Sequence, residues 1–370
     1  MRNILDSSYY TFLMSLFATI LSFADPVTDI LTLVEFYRED HKTWFAVGLA
    51  FVVLPCVGFF LLMMNGYTES RAELCLCGFN PFSSAWVRLK ICWMNFKKCC
   101  WDDNSEDDDD EVLNDHSNEA RLVEAVLESA PQCIIQLYAM TVQQEPVKII
   151  QMISVPVSFL SLTWAFRAFE KDNGIFEFWN VKQKVLLFVN YSFVLSSRLF
   201  AVIFFTITYK WWIISVLMIH AVLILIVDII WFYRITRVLE DCSYSGEDVA
   251  ASALIFCLHW LKDDMSPTIK CPRLLKKEKD NIKKKMHVVS NILFVIENCA
   301  MILIFYRFSP FSNTWYSLPV TVCVCSFSVI GAVARVAHVC FVTKESNREK
   351  YNLESMSVNT AEVGNDPSLN

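Results

Sequence analysis

Stretches of mostly apolar residues, each long enough to cross ~30 Å of hydrocarbon at 1.5 Å per residue, recur eight times along this chain of 370 residues. They run over about Tyr9–Phe36, Thr43–Met64, Glu119–Val142, Lys148–Phe169, Val185–Tyr209, Trp211–Tyr233, Met286–Tyr306 and Trp315–Val342. No water satisfies backbone polar groups inside a bilayer, so runs of this kind must be helical. With 55% hydrophobic and only 19% charged residues, the composition excludes an ordinary water-soluble domain. The first run carries acids, follows the single basic residue Arg2 and has no small-residue cleavage site, so it reads as a span rather than a signal peptide. The expected fold is an all-α integral membrane protein with eight transmembrane helices.

Basic residues favour cytoplasmic loops, which sets the orientation. The short loops after spans 1, 3, 5 and 7 hold only Arg38, Lys42, Lys148, Lys210 and Arg307. Most of the others lie in the alternate loops or the tail, including the run Lys276, Lys277, Lys279, Lys283, Lys284 and Lys285. Both termini are therefore expected in the cytoplasm. None of the 14 cysteines falls in an outward loop, which argues against disulfides. Cys75, Cys77, Cys99 and Cys100 resemble a zinc set only loosely, because residues 78–98 separate the two pairs. Palmitoylation of Cys99 and Cys100, beside an amphipathic segment, fits them better.

Landmarks recur at nearly constant spacing and divide the chain into two parallel four-span repeats, over 1–170 and 171–342. Glu128 is followed by Glu297 after 169 residues, Trp93 by Trp260 after 167, and Arg167 by Arg335 after 168. The segments around the two tryptophans, Phe82–Cys100 and Glu247–Leu261, are too short or polar to span and read as interfacial or partly inserted helices. Arg167 and Arg335, at span ends, are expected to snorkel to the cytoplasmic surface. Residues 102–118 form a cytoplasmic acidic loop whose like charges repel, and 343–370 a polar cytoplasmic tail, flexible or regulatory.

Ionisable residues inside spans cost on the order of 2.5–3.5 kcal/mol each unless a partner or water meets them. Asp25 and Asp29 share a face of the first span, as Glu124 and Glu128 do of the third. Arg198, His220, Asp228 and Glu297 follow in spans 5 to 7. Spaced by depth, they form a polar ladder in which one arginine faces about six acids. Buried pairs that glue spans together, Arg198 with Asp25 or Glu128, are one explanation; a continuous hydrated path is the other. Pro131 removes an N–H beside Glu128 and Pro26 beside Asp25, loosening the helix at both places. His220 reads as lining the bundle, and Trp211, Trp212 and Trp315 as an interfacial belt. No phosphate-binding glycine loop, metalloprotease helix or nucleophile elbow is present, so neither an enzyme nor a cofactor is expected. The lysine run suits anionic lipid better than nucleic acid.

The segment RLVEAVLESAPQCIIQLYAM, Arg121–Met140, resembles the Glu-x-x-Pro-Gln-x-x-x-Gln-Leu-Tyr signature of the XK-related family. Ala24–Leu31 is similar to that family's paired-aspartate first helix, Ser197–Phe205 to its arginine-bearing fifth and Val295–Phe305 to its Glu-Asn seventh. The resemblance extends from Tyr9 to about Val342. Several members of the family are phospholipid scramblases. It therefore implies ATP-independent, bidirectional movement of phosphatidylserine, phosphatidylcholine and phosphatidylethanolamine across the plasma membrane, switched on in apoptosis. Asp25, Asp29, Glu124, Glu128, Arg198, Asp228 and Glu297 would line the lipid path.

It further implies tail cleavage by a caspase and a single-span partner subunit. The sequence departs from the cleavage pattern: Asp366 is followed by Pro367, and Asp115 lacks an aspartate in the preferred frame. Two other classes stay open on the residues alone, a secondary transporter or channel using the same acids and a scaffold subunit that moves nothing.

Overall fold

The computed structural model describes residues 2–62, 82–101, 117–118, 121–122, 124–143, 146–172, 181–220, 222–223, 226 and 276–363. Among these the regular elements are all helical. In order they are α1 (Arg2–Arg38), α2 (Lys42–Leu62), α3 (Ser83–Trp101), a π-helical turn (Ala125–Ser129) leading into α4 (Ala130–Val142), α5 (Ile149–Asp172), α6 (Val181–Tyr209), α7 (Lys276–Phe308) and α8 (Ser317–Val363). Helical residues 212–220 follow α6 after a tight turn.

On α1 and α5 the packed face is largely polar and the outer face apolar. On α1 the residues Ser22, Asp25, Asp29 and Thr32 are buried, while Phe17, Ile20, Val27, Leu31 and Val34 are exposed on the other side. α5 repeats the pattern, with Gln151, Ser154, Ser158 and Ser161 buried and Met152, Ile153 and Leu160 exposed. A water-soluble protein would hide the leucines and show the serines. Lipid reverses that demand, and small hydroxyl residues on the inner face let helix backbones approach closely. Gly331 does the same for α6 and α8: a Cβ there would lie 2.6 Å from Val194 Cγ2 and 3.2 Å from the Val194 backbone nitrogen. Asn190 Nδ2 donates to the Gly331 carbonyl at 2.8 Å across this contact.

Among the described residues, five helices are long and apolar enough to cross a membrane: Tyr9–Arg38, Ile149–Ala168, Gln183–Tyr209, Asn291–Phe308 and Ser317–His338, with a shorter apolar helix at Lys42–Cys56. The chain is thus a multi-pass helical membrane protein. The expected third span is helical but interrupted by the π turn. The sixth is described only over residues 211–220, 222–223 and 226, and the second short helix around Trp260 lies outside the described residues, as do Cys75, Cys77 and the acidic loop up to residue 116.

Turn chemistry explains the tight reversals. α1 ends with Asp40 at φ 63°, His41 N–H bonded to Phe36 O and Asp40 N–H to Tyr37 O, which together cap the last carbonyls. Lys210, at φ 47°, ends α6 with its N–H on Thr206 O. These turns gather at one end of the bundle in pairs. Lys148, before α5, reaches Glu39 at 2.6 Å, and Thr208 donates to Ser309, after α7, at 2.9 Å. That is the alternation expected of successive spans. Trp211, Trp212 and Trp315 are all exposed near the second pair, where a tryptophan belt belongs.

α3 runs antiparallel along α1. Phe82, just before it, stacks on Phe23, and Phe96 packs on Phe12, so it follows α1 over roughly 16 Å of helix. It is therefore inserted beside the first span rather than laid across its end. Two expectations need correction. α8 continues to Val363, so most of the segment expected as a flexible tail is helical. The reason is local: after Gly331 no glycine or proline occurs until Gly364 and Pro367, and Glu, Lys, Arg and Met between them favour helix. Arg335 is only 5% exposed and so does not reach the surface as expected; Arg167 lies over the Trp164 ring at 4.6 Å.

Candidate functional site

The acids of the first and third spans meet in one buried cluster. Asp25, Asp29, Glu124 and Glu128 are all buried. Pro131 has no N–H to give the Leu127 carbonyl. The chain relaxes this mismatch one turn earlier as a π turn, with the Ala130 N–H bonded to Ala125 O. Turns of this type are frequent at functional sites. Here the turn itself carries Glu128 and Ser129.

Arg121 is the cation at the centre. Its Nη2 stands 3.5 Å from Asp25 Oδ2, and its Nη1 lies 2.7 Å from Glu124 Oε1, an ion pair without hydrogen-bond alignment. Nη2 also bonds the Ser161 hydroxyl on α5. Ser129 donates to Asp25 Oδ2 at 2.7 Å. One turn further along α1, Asp29 Oδ1 accepts from Gln136 at 3.0 Å, Ser154 at 2.8 Å and Ser158 at 3.1 Å. Gln132 ties the cluster to α2 by donating to Gly48 O at 2.8 Å.

Glu128 differs from the rest. It is 2% exposed, and neither of its carboxylate oxygens has a hydrogen-bond partner among the described residues. It lies within electrostatic reach of Glu124, Asp25, Asp29 and Arg121. Asp25 Oδ1 and Asp29 Oδ2 are likewise without a bond. Among the described residues four carboxylates thus share one guanidinium, an imbalance that protons or a cationic group must offset.

Among the described residues, the ladder read from the sequence falls into two clusters. Arg198 meets neither Asp25 nor Glu128; it belongs to a second cluster in the other half of the chain. Its Nη1 donates to Asn298 Oδ1 at 3.0 Å and its Nη2 to Glu297 Oε1 at 3.2 Å. His220 Nδ1 is 2.5 Å from Glu297 Oε2, and Asn298 donates to Ser197 at 3.1 Å. Glu297 keeps 20% of its side chain exposed. Between the clusters lies an apolar layer in which Ala125, Val126, Ala130 and Cys133 pack against Leu187, Tyr191, Leu195 and Leu199 of α6. Asp228, Asp115 and Asp366 lie outside the described residues. Cys99 is half-buried and Cys100 exposed, both as free thiols at the end of α3.

A helical, multi-pass membrane protein with buried acids on two helix pairs and a broken signature helix is the class these features define. The chain belongs to the XK-related family: the family model described as "XK-related protein" matches residues 13–344. The match covers nearly all of the membrane-embedded sequence, including both clusters.

Proposed function

We propose that the protein is a phospholipid scramblase, moving phosphatidylserine and the zwitterionic phospholipids between leaflets of the plasma membrane without ATP. The family includes scramblases. The observation that carries the reading furthest is Glu128, a buried carboxylate at a π turn that has no hydrogen-bond partner among the described residues, inside a cluster whose described members include three more carboxylates than cations. Leaving such a group unmatched is costly, and the ammonium or choline of a lipid headgroup is the complement it lacks. Lipid flips slowly because its headgroup must cross hydrocarbon. A polar face that opens between the bundle and the lipid lowers that barrier while the acyl chains stay outside.

On this reading the described form is shut. The acidic cluster is buried, and the apolar layer against α6 separates it from Arg198 and Glu297. Opening would part that layer and join the two clusters, with Asp228 completing the path. The architecture we propose is eight spans in two parallel repeats, with both termini cytoplasmic. Release of the C-terminal segment, by a caspase in apoptosis, would open the path, and a single-span subunit would assist assembly.

A structural role is the second reading, favoured by the compact Arg198, Glu297 and His220 set, which has the form of a span-to-span clamp. Reconstitution with fluorescent lipid separates the possibilities. Lipid flux that falls in Glu128→Gln supports scrambling, solute flux without lipid flux supports a transporter or channel, and neither flux supports a scaffold.

A further inference from the structure

α7 and α8 form an antiparallel hairpin closed by the turn over residues 309–316. Cys299 lies nine residues before the end of α7 at Phe308, and Cys325 eight residues after the start of α8 at Ser317. At 1.5 Å per residue both stand about 12–14 Å from the turn, near the middle of the bilayer. They also meet across the hairpin, where the two thiols are in hydrogen-bond contact. Cys325 packs against the cluster that holds Met301, Ile302 and Phe305 of α7, which fixes the register of the pair. Both cysteines are free and half-buried. Beside them Ile296 and Leu303 of α7 and Val322 and Val329 of α8 are exposed, so the pair lies at the edge of the face turned to the acyl chains.

The depth of the pair indicates what can react with it. Charged oxidants are excluded from the hydrocarbon core, whereas an unsaturated acyl chain carries a hydroperoxide group part-way along its own length. We infer that Cys299 and Cys325 form a redox-active dithiol that closes to a disulfide by reducing a hydroperoxide on an acyl chain of the bilayer. One sulfur attacks the outer peroxide oxygen; the O–O bond breaks, the lipid leaves as an alcohol with the thiol proton, and that cysteine becomes a sulfenic acid. The second sulfur then attacks the sulfenic sulfur; the S–S bond forms, the S–O bond breaks and the hydroxyl leaves with the second proton as water. The dithiol gives up two electrons and the peroxide takes both. Contact between the thiols makes the second step intramolecular, so it outpaces further oxidation of the sulfenic acid. The bond fastens α7, where Glu297 and Asn298 hold Arg198 just ahead of Cys299, to α8. This chemistry does not depend on lipid being moved.

The test places the purified full chain in phosphatidylcholine vesicles containing linoleoyl phosphatidylcholine hydroperoxide, blocks free thiols with N-ethylmaleimide and maps peptides without reductant. The expected result is a peptide pair joined through Cys299 and Cys325 that accumulates with time, is lighter than the two reduced peptides by two hydrogen atoms and separates in dithiothreitol, with lipid alcohol formed in parallel. Oxidised glutathione added to the water around unoxidised vesicles should join the pair more than about tenfold more slowly, since its charges bar it from that depth. Cys323→Ser, which removes the exposed thiol two residues from Cys325, should leave the yield unchanged. Cys325→Ser should abolish the joined pair and leave Cys299 as its sulfenic or sulfinic acid. No joined pair with the lipid hydroperoxide, or oxidation of the exposed Cys323 and Cys340 ahead of it, overturns the inference. Joining by oxidised glutathione at the same rate overturns the lipid source of the oxidant.

Discussion

Arg121 Nη2 stands 3.5 Å from Asp25 Oδ2, joining residues 96 apart in the sequence and fastening the signature helix to α1. Both side chains are 2% exposed. Removing one partner of a buried ion pair leaves the other charge without compensation, at a cost of about 3–5 kcal/mol. Arg121→Gln should therefore lower the thermal midpoint sharply or prevent recovery of folded protein. Arg38→Gln, whose partner Glu35 lies in an exposed pair at 3.9 Å, should change it little. Parallel melting of the two purified variants checks this.

Glu128→Gln should behave in the opposite way. The carboxylate has no hydrogen bond to lose among the described residues, and the amide removes a buried charge from a group of acids. Stability should hold within about 1 kcal/mol or rise, while lipid flux falls. Measuring melting and flux on one preparation separates a path residue from a structural one.

The second cluster invites a double-mutant cycle. Arg198→Gln, Glu297→Gln and the double variant should show a coupling of about 1–3 kcal/mol, because the two side chains touch at 3.2 Å within a largely buried set. His220→Ala should couple to Glu297→Gln but not to Arg121→Gln, since the apolar layer on α6 stands between the clusters.

The recurring apolar runs and the Glu-x-x-Pro-Gln signature were enough to read the helical membrane class, the family and the acids of spans 1 and 3 from the sequence. What stayed hidden was partnership. Arg121 stands at the edge of a run, where a long cation normally reaches for water. Yet its spacing of three from Glu124 and seven from Glu128 places all three on one helix face, a signal that was available. The division of the ladder was not available. Arg198 has leucines at 195 and 199 on its own helix, but only the fold reveals that they pack toward Ala125 and Cys133 and close the way to Glu128. The helix running to Val363 was foreshadowed by the lack of glycine and proline, against which the polar composition argued for a loose tail.

Gly331→Ala tests the close approach of α6 and α8. The new methyl would meet Val194 side chain and backbone, and overpacking of this sort costs about 1–3 kcal/mol. Gly331→Ser should do no better, since the obstacle is space beside the backbone rather than polarity. Thermal melting of both variants reads the effect.

The most direct measurement of the central claim is lipid flux in proteoliposomes carrying fluorescent phosphatidylserine, before and after a protease site placed behind Val342 is cut to release the C-terminal segment. The proposed function predicts that a membrane-impermeant quencher removes only the outer-leaflet signal before cleavage and nearly all of it afterwards, with Glu128→Gln holding the cut protein near the first level. Cleaved, folded protein that leaves the inner-leaflet signal intact, or Glu128→Gln that passes lipid as fast as the unsubstituted chain, would contradict it.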